Sequence, residues 1–145
     1  MEFLNKVVEP CANVYLIHDR KVLLIKHPKS HNYVGVGGHK EVYESLYECA
    51  VRETFEESRI MINTVDCSEF DIQENPRPLC SYLFELGNHL HDVSVFVFKT
   101  DQSELKFETP DQIGGWYSFE ESTYFTMSEF TSRILKYLKA RNIID

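Results

Sequence analysis

Residues 38–60 read "GHKEVYESLYECAVRETFEESRI", and within them Glu53, Glu56 and Glu57 stand at i, i+3 and i+4. Ser45 with Glu48 three positions on has the form of a capping box, so a helix is expected to start near Leu46 and run to about Ser58. On that helix the three glutamates share one face, left to polar company, while Leu46, Cys49, Ala50 and Phe55 form the apolar one. Like charges within one turn stay ionised at low cost only if a cation sits among them. Oxygen-only donors in a compact acidic patch suit Mg²⁺ or Mn²⁺ rather than zinc or copper. Taken alone, a charged helix face is ordinarily a solvated one. Arg52, four residues from both Glu48 and Glu56, is placed for plain surface pairs.

The residues just upstream change that balance. Gly37 and Gly38 carry no side chain, so their backbone can come close to a ligand. From Arg20 through Lys40 no acid occurs, in a chain that holds 23 of them. The same segment carries Lys21, Lys26, Lys29 and Lys40 together with His27, His31 and His39. A cationic loop beside a metal-loaded acidic helix is what a polyphosphate needs.

Further out, "CANVYLIHD" (residues 11–19) and "KVLLIK" (residues 21–26) read as a β-hairpin turning at "DR". Strands are expected in "RIMINTVDCSEFDIQ" (residues 59–73), in "LCSYLFEL" and "HDVSVFVFKT" joined through "GNHL", and in "GGWYSF" (residues 114–119). "SEFTSRILKYLKA" closes the chain as an amphipathic helix. Strands with two helices able to cover both faces of a sheet make the fold α/β with a mixed sheet.

At 145 residues the chain is expected to be one domain, 1–145, with a sizeable core. A net charge of −8 argues against non-specific nucleic-acid binding, which depends on Lys and Arg neutralising phosphates. No apolar run reaches the roughly 20 residues that span a bilayer. "MEFLNKVVEP" lacks the features of a signal peptide, so a cytoplasmic location is expected. Cys11, Cys49, Cys67 and Cys80 form no C-x-x-C pair and are expected to be buried, reduced thiols. His89 and His91, in "HLH", can reach one cation from alternate strand positions, although an exposed hairpin end is the commoner meaning.

The spacing of Gly38, five residues, Glu44, seven residues, Arg52-Glu53, two residues and Glu56-Glu57 resembles the Nudix box, G-x5-E-x7-R-E-U-x-E-E-x-G-U, where U is aliphatic. The flanking "KVLLIKHP" and "GGWYSFEE" are similar to members of that family as well. The resemblance implies an α/β/α sandwich with a mixed central sheet. It also implies Mg²⁺-dependent hydrolysis (Mn²⁺ as a substitute) of a phosphoanhydride in a nucleoside diphosphate linked to another moiety. It assigns Glu56 and Glu57 as metal ligands, Glu53 as ligand or base, the carbonyl of Gly37 or Gly38 as a further ligand, Arg52 as the residue that orients the glutamates, and Glu44 as support for the loop. Gly37, Gly38, Lys40 and Tyr33 are the expected substrate contacts. An additional acid is expected before the last short strand, where Gln112 stands, with Glu108 and Asp111 as candidates.

Two positions depart from the box. Thr54 replaces an aliphatic residue and is expected to pack by its methyl. Arg59 replaces the glycine that ends the helix, at a cost on the order of 1 kcal/mol or with a different helix end.

Substrate markers point two ways. Pro76 matches a proline of ADP-ribose-cleaving relatives, and "YVGVGG" (residues 33–38) resembles relatives that hydrolyse oxidised nucleoside triphosphates. Tyr33, Tyr82, Phe84 and Trp116 are candidates to stack on a base, though strand aromatics are more often core. Acidity disfavours RNA decapping. The partner is expected to be a small nucleotide, without nucleic acid or membrane, and the protein a monomer or homodimer. The alternative is a nucleotide-binding sensor that kept the fold without turnover, for which Arg59 and Gln112 speak.

Overall fold

The computed structural model describes residues 6–62 and 77–145. Among them the order is β1 (Val7–His18), β2 (Lys21–Lys26), β3 (Tyr33–Val34), β4 (Val36–His39), α1 (Leu46–Ser58), β5 (Cys80–Leu86), β6 (His89–Lys99), β7 (Gly114–Tyr117), α2 (Phe119–Ser122) and α3 (Glu129–Ala140). All the strands join one mixed sheet, in the order β3-β2-β1-β6-β5, with β4 added to β1 and β7 to β2. The long strand β1 organises it. One edge of β1 runs parallel to β6 from Val7↔His89 to Ile17↔Lys99. The other edge is shared, with β2 antiparallel at Ile17↔Val22 and β4 antiparallel from Cys11↔His39 to Val14↔Val36.

Because side chains alternate along a strand, β1 feeds two cores. Its even positions Ala12, Val14 and Leu16 meet Leu23, Val36, Phe96, Phe98 and the α1 residues Cys49 and Ala50. Its odd positions Cys11, Tyr15 and Ile17 meet Val93, Val95 and the α3 residues Ile134, Leu135 and Leu138. Each such fully buried Leu, Ile or Val contributes roughly 1.5–3 kcal/mol by leaving water. The result is the expected α/β/α sandwich, with one helix layer on each face.

Several local expectations need correction. Residues 59–62 are irregular rather than strand; the remainder of that segment, with Cys67 and Pro76, lies outside the described residues. The β5–β6 turn is only Gly87-Asn88, with Gly87 at φ 63°, so His89 and Leu90 belong to β6. Strand β7 stops at Tyr117, because Ser118 caps α2 with its own capping box to Glu121. Cys80 is exposed, whereas Cys11 and Cys49 are buried free thiols. Among the described residues, no helix is long and apolar enough to cross a membrane.

Candidate active site

Helix α1 begins and ends as its sequence dictates. The Ser45 hydroxyl accepts from the Glu48 N–H at 3.1 Å, and the Glu48 carboxylate accepts from the Ser45 N–H at 2.9 Å. At the other end Arg59 sits in the left-handed region (φ 64°, ψ 18°), and its N–H donates to the Phe55 carbonyl at 2.8 Å. The helix therefore ends as a glycine would end it, and the arginine carries the steric cost. Its guanidinium lies 5.1 Å above the Phe55 ring, which returns part of that cost.

The buried face of α1 differs from the expected one. It is made of Cys49, Ala50, Thr54 and Ser58, with Phe55 only half-buried. Thr54 uses its hydroxyl as well as its methyl, donating to the Ala50 carbonyl at 2.7 Å. Ser58 donates likewise to the Thr54 carbonyl at 2.6 Å. These bonds let two polar side chains stand in an apolar layer.

The acidic face also turns inward more than expected. The Glu53 side chain is 13% exposed against 46% for Glu56. Glu53 lies against Gly38 of β4, where a β-carbon would stand 2.5 Å from the Glu53 Cδ. One helical turn on, Glu57 Oε1 accepts from the Gly37 N–H at 3.2 Å. Gly37 is itself pressed on β1, since a β-carbon there would lie 2.1 Å from the Ala12 carbonyl oxygen. The Gly38 carbonyl faces the same helix and accepts weakly from Cys49 Sγ at 3.7 Å.

Arg52 binds this group together. Its Nε and Nη2 donate to the two oxygens of Glu44 at 2.9 and 2.6 Å, a bidentate grip. Nη2 also donates to the His39 carbonyl at 3.0 Å, and Nη1 to Glu53 Oε1 at 2.9 Å and Glu56 Oε2 at 3.3 Å. Glu48, the other residue expected to pair with Arg52, instead closes the cap. Arg52 is therefore a half-buried clamp rather than a surface ion-pair partner. It holds the Glu44 carboxyl down to about 2, and Glu44 in turn ties the loop by accepting from the Glu41 N–H at 2.9 Å.

A single guanidinium does not neutralise four neighbouring carboxylates. Burial pushes the Glu57 carboxyl up to about 7, helped by the charges of Glu53 and Glu108 and opposed by the Gly37 N–H. Burial also raises Glu53, against the pull of Arg52. Glu53, Glu56, Glu57 and the Gly38 carbonyl together offer an oxygen-only donor set with a deficit of positive charge. That chemistry fits a hard divalent cation such as Mg²⁺ or Mn²⁺.

The remaining candidates separate by position. The negative charge of Glu108 helps to raise both Glu53 and Glu57, so it is felt at the cluster. Gln112 is engaged in structure, its amide donating to the carbonyls of Lys26 at 2.9 Å and Ile113 at 2.8 Å. Lys40 is half-buried and donates to the Glu41 carbonyl at 3.0 Å. Tyr33 stacks on Phe125 at 4.0 Å and meets Tyr117 edge-on at 6.1 Å, on the sheet face opposite α1. Tyr82 stacks on Phe130, and the Trp116 indole N–H donates to the Ser103 carbonyl at 2.8 Å. The reach of Arg52 to Glu44 and to the His39 carbonyl, and the hydroxyl bond of Thr54, were not anticipated. The first depends on separate chain segments meeting, and the second is a side chain turned back on its own helix, which spacing does not reveal.

The chain matches the family model of the NUDIX domain over residues 8–138. NAD-capped RNA hydrolase NudC from Edwardsiella ictaluri is 37% identical over 60 residues, which are 40% of this chain and 23% of that protein. The chain thus corresponds to a minor part of that relative's length. A NUDIX-family hydrolase from Clostridium perfringens superposes with a TM-score of 0.72 at 26% identity, covering 88% of this chain and 93% of that one. The bifunctional NMN adenylyltransferase/ADP ribose pyrophosphatase from Francisella tularensis, solved with AMP and a Mn ion, shares the fold. Its TM-score is 0.65 at 18% identity, over 94% of this chain and 42% of that one.

Proposed function

The chain belongs to the NUDIX domain family of hydrolases, and from that premise we propose that it is a single-domain, Mg²⁺- or Mn²⁺-dependent pyrophosphohydrolase. Its substrate class is a nucleoside diphosphate linked to another moiety, either ADP-ribose-like or an oxidised nucleoside triphosphate. The observation that carries the proposal is the convergence of Glu53 and Glu57 on the glycines of β4 with Arg52 as the local counter-charge. A buried anionic pair of that kind is costly without a cation.

Glu53, Glu56, Glu57 and the Gly38 carbonyl hold the ion in this reading. When bound, the ion supplies neutralisation of phosphate oxygens and a lowered pKa for coordinated water. Arg52 keeps Glu53 and Glu56 in place from behind, and Glu44 keeps Arg52 in place. Glu108 is preferred over Asp111 as the acid outside the helix, because its charge reaches Glu53 and Glu57. A carboxyl held near pH 7, as in Glu57, is poised to exchange a proton or a cation in the neutral range. Lys40 and the Gly37–Gly38 backbone contribute to phosphate binding. Tyr33, stacked on Phe125 on the other face of the sheet, stands apart from this cluster and is given no part in substrate binding.

The test is release of nucleoside monophosphate from a panel, with and without Mg²⁺ or Mn²⁺. The panel holds ADP-ribose, other nucleoside diphosphate sugars, standard and 8-oxo deoxynucleoside triphosphates, dinucleoside polyphosphates and NAD-capped RNA. Metal-dependent cleavage of at least one, lost in Glu57→Gln without loss of fold, is the expected result. Nucleotide binding with no turnover under either metal would replace the enzyme by the sensor. The sensor reading has lost one of its supports, because Arg59 preserves the left-handed helix end.

A further inference from the structure

A second cluster of ligating side chains lies on the opposite face of the sheet from α1. The register of β1 builds it: Cys11 opposes His39 of β4, and Glu9 opposes His91 of β6. Residues directly opposite in register share a face, and positions two apart along a strand do too. Glu9, Cys11, His39 and His91 therefore converge on one side, the side that carries α3. One ligand atom from each of Cys11, His39 and His91 lies within 4.8 Å of the others. Cys11 Sγ is already 3.7 Å from His91 Nδ1. The ligand-to-ligand edge of a tetrahedral zinc site is about 3.3–3.8 Å, given Zn–N and Zn–S bonds of about 2.0–2.3 Å. A small rotation of His39, whose side chain is 60% exposed, closes the set.

Glu9 completes the arrangement. Its Oε2 lies 2.9 Å from His39 Nε2 and 3.4 Å from His91 Nε2, and its Oε1 is 2.5 Å from His89 Nδ1. A carboxylate on the far nitrogen of a ligating histidine fixes the ring and raises its basicity, as around zinc in many proteins. With Glu9 on His91 Nε2, the Nδ1 atom that faces Cys11 is the one left for a metal.

We infer that Cys11, His39 and His91, oriented by Glu9, form a zinc-class metal site distinct from the carboxylate cluster of α1. Thiolate and imidazole donors select Zn²⁺ or Co²⁺ over Mg²⁺, whereas the α1 set is all oxygen. The two sites sort hard and softer cations by donor type. They communicate through one peptide segment, since the His39 carbonyl is held by Arg52. The fourth coordination position is left to solvent or to a substrate group, as half-exposed His39 is at the surface.

The full chain, saturated with Mg²⁺ to occupy the oxygen site, is titrated with Co²⁺ and then competed with Zn²⁺. One equivalent of Co²⁺ with a near-ultraviolet thiolate-to-cobalt charge-transfer band, bleached by one equivalent of Zn²⁺, is expected. Cys11→Ser removes the band, His91→Asn weakens binding by more than tenfold, and Glu9→Gln weakens it by about tenfold. Glu57→Gln leaves band and stoichiometry unchanged, which separates this site from the proposed catalytic one. His91 is less buried than Cys11, so His91→Asn serves if Cys11→Ser does not fold. No thiolate band at saturating Co²⁺, or a band that persists unchanged in His91→Asn, overturns the inference.

Discussion

The Glu53 carboxylate rests on the Cα of Gly38, so closely that any β-carbon at residue 38 would stand 2.5 Å from Glu53 Cδ and Oε1. The contact joins the start of the acidic segment to the middle of its helix. It gives Gly38 a steric role that owes nothing to backbone freedom. Because the atoms met belong to the end of a flexible side chain, a methyl there displaces Glu53 rather than the strand.

Gly38→Ala is therefore expected to fold with little loss of stability and to lose hydrolytic rate. A displacement of about 1 Å in a catalytic group can cost on the order of 100-fold. Steady-state rates on the best substrate, beside a urea unfolding curve, check it. A loss of stability of several kcal/mol with intact specific activity would place the clash on the backbone instead.

Arg52→Lys tests the clamp. An ammonium cannot reproduce the forked grip on Glu44 while also reaching Glu53, Glu56 and the His39 carbonyl. The expected outcome is a fall in kcat of about 10- to 100-fold. Glu44, which Arg52 holds down to about 2, should move up toward its ordinary value of 4.5. Carboxyl chemical shifts followed by NMR through an acid titration read that movement directly. A Glu44 that still titrates near 2 in the variant would show that Arg52 is not what holds it down.

What could be read in the sequence was local. Ser45 and Glu48 announce the start of α1, and the period of Glu53, Glu56 and Glu57 announces one face. The destination of that face could not be read, because it depends on β4 pairing with β1 as Ala12↔Gly38, a contact between distant segments. The parallel register that brings Glu9 to His91 is equally non-local, and without it His91 looks like part of a hairpin end. Thr54 was legible only as a methyl that packs and Ser58 only as a helix end, since a hydroxyl turned back to the carbonyl four residues earlier leaves no mark in composition. Gln112 read as a missing acid. Its amide serves the backbone of Lys26, a partner that no spacing predicts.

The pH dependence of stability follows from two opposed carboxyls. Glu57 titrates near 7 in the folded chain against an ordinary 4.5, so the folded state binds more protons between those values. Its contribution is present below about pH 4.5 and is lost as pH rises through 7, a swing of up to about 3 kcal/mol. Glu44 acts in the other direction, its contribution being lost as pH falls from 4.5 toward 2. In EDTA the unfolding midpoint should therefore decline from pH 5 to pH 8. Mg²⁺ should stabilise more at pH 8 than at pH 5.5, because it replaces the proton. Glu57→Gln should flatten both responses. A midpoint in EDTA that rises across this interval would mean that Glu57 is ionised when the site holds no cation.

Arg59 offers the simplest test of a local conformation. Its φ of 64° is one that a β-carbon makes costly, and its N–H closes the last turn of α1 on the Phe55 carbonyl, the single bond of a left-handed helix cap. Replacement by glycine removes the clash but also removes the guanidinium from above Phe55. Comparing Arg59→Gly with Arg59→Ala cancels that second effect, since both lose the ring contact. Glycine should be the more stable of the pair by about 1 kcal/mol, the left-handed penalty less the entropy a glycine loses on folding. Urea midpoints at equal slope measure the difference. Equal stabilities would mean that α1 ends in another conformation in solution. Activity should be unchanged in both, because the side chain packs on the Phe55 ring and makes none of the contacts that hold the acidic cluster.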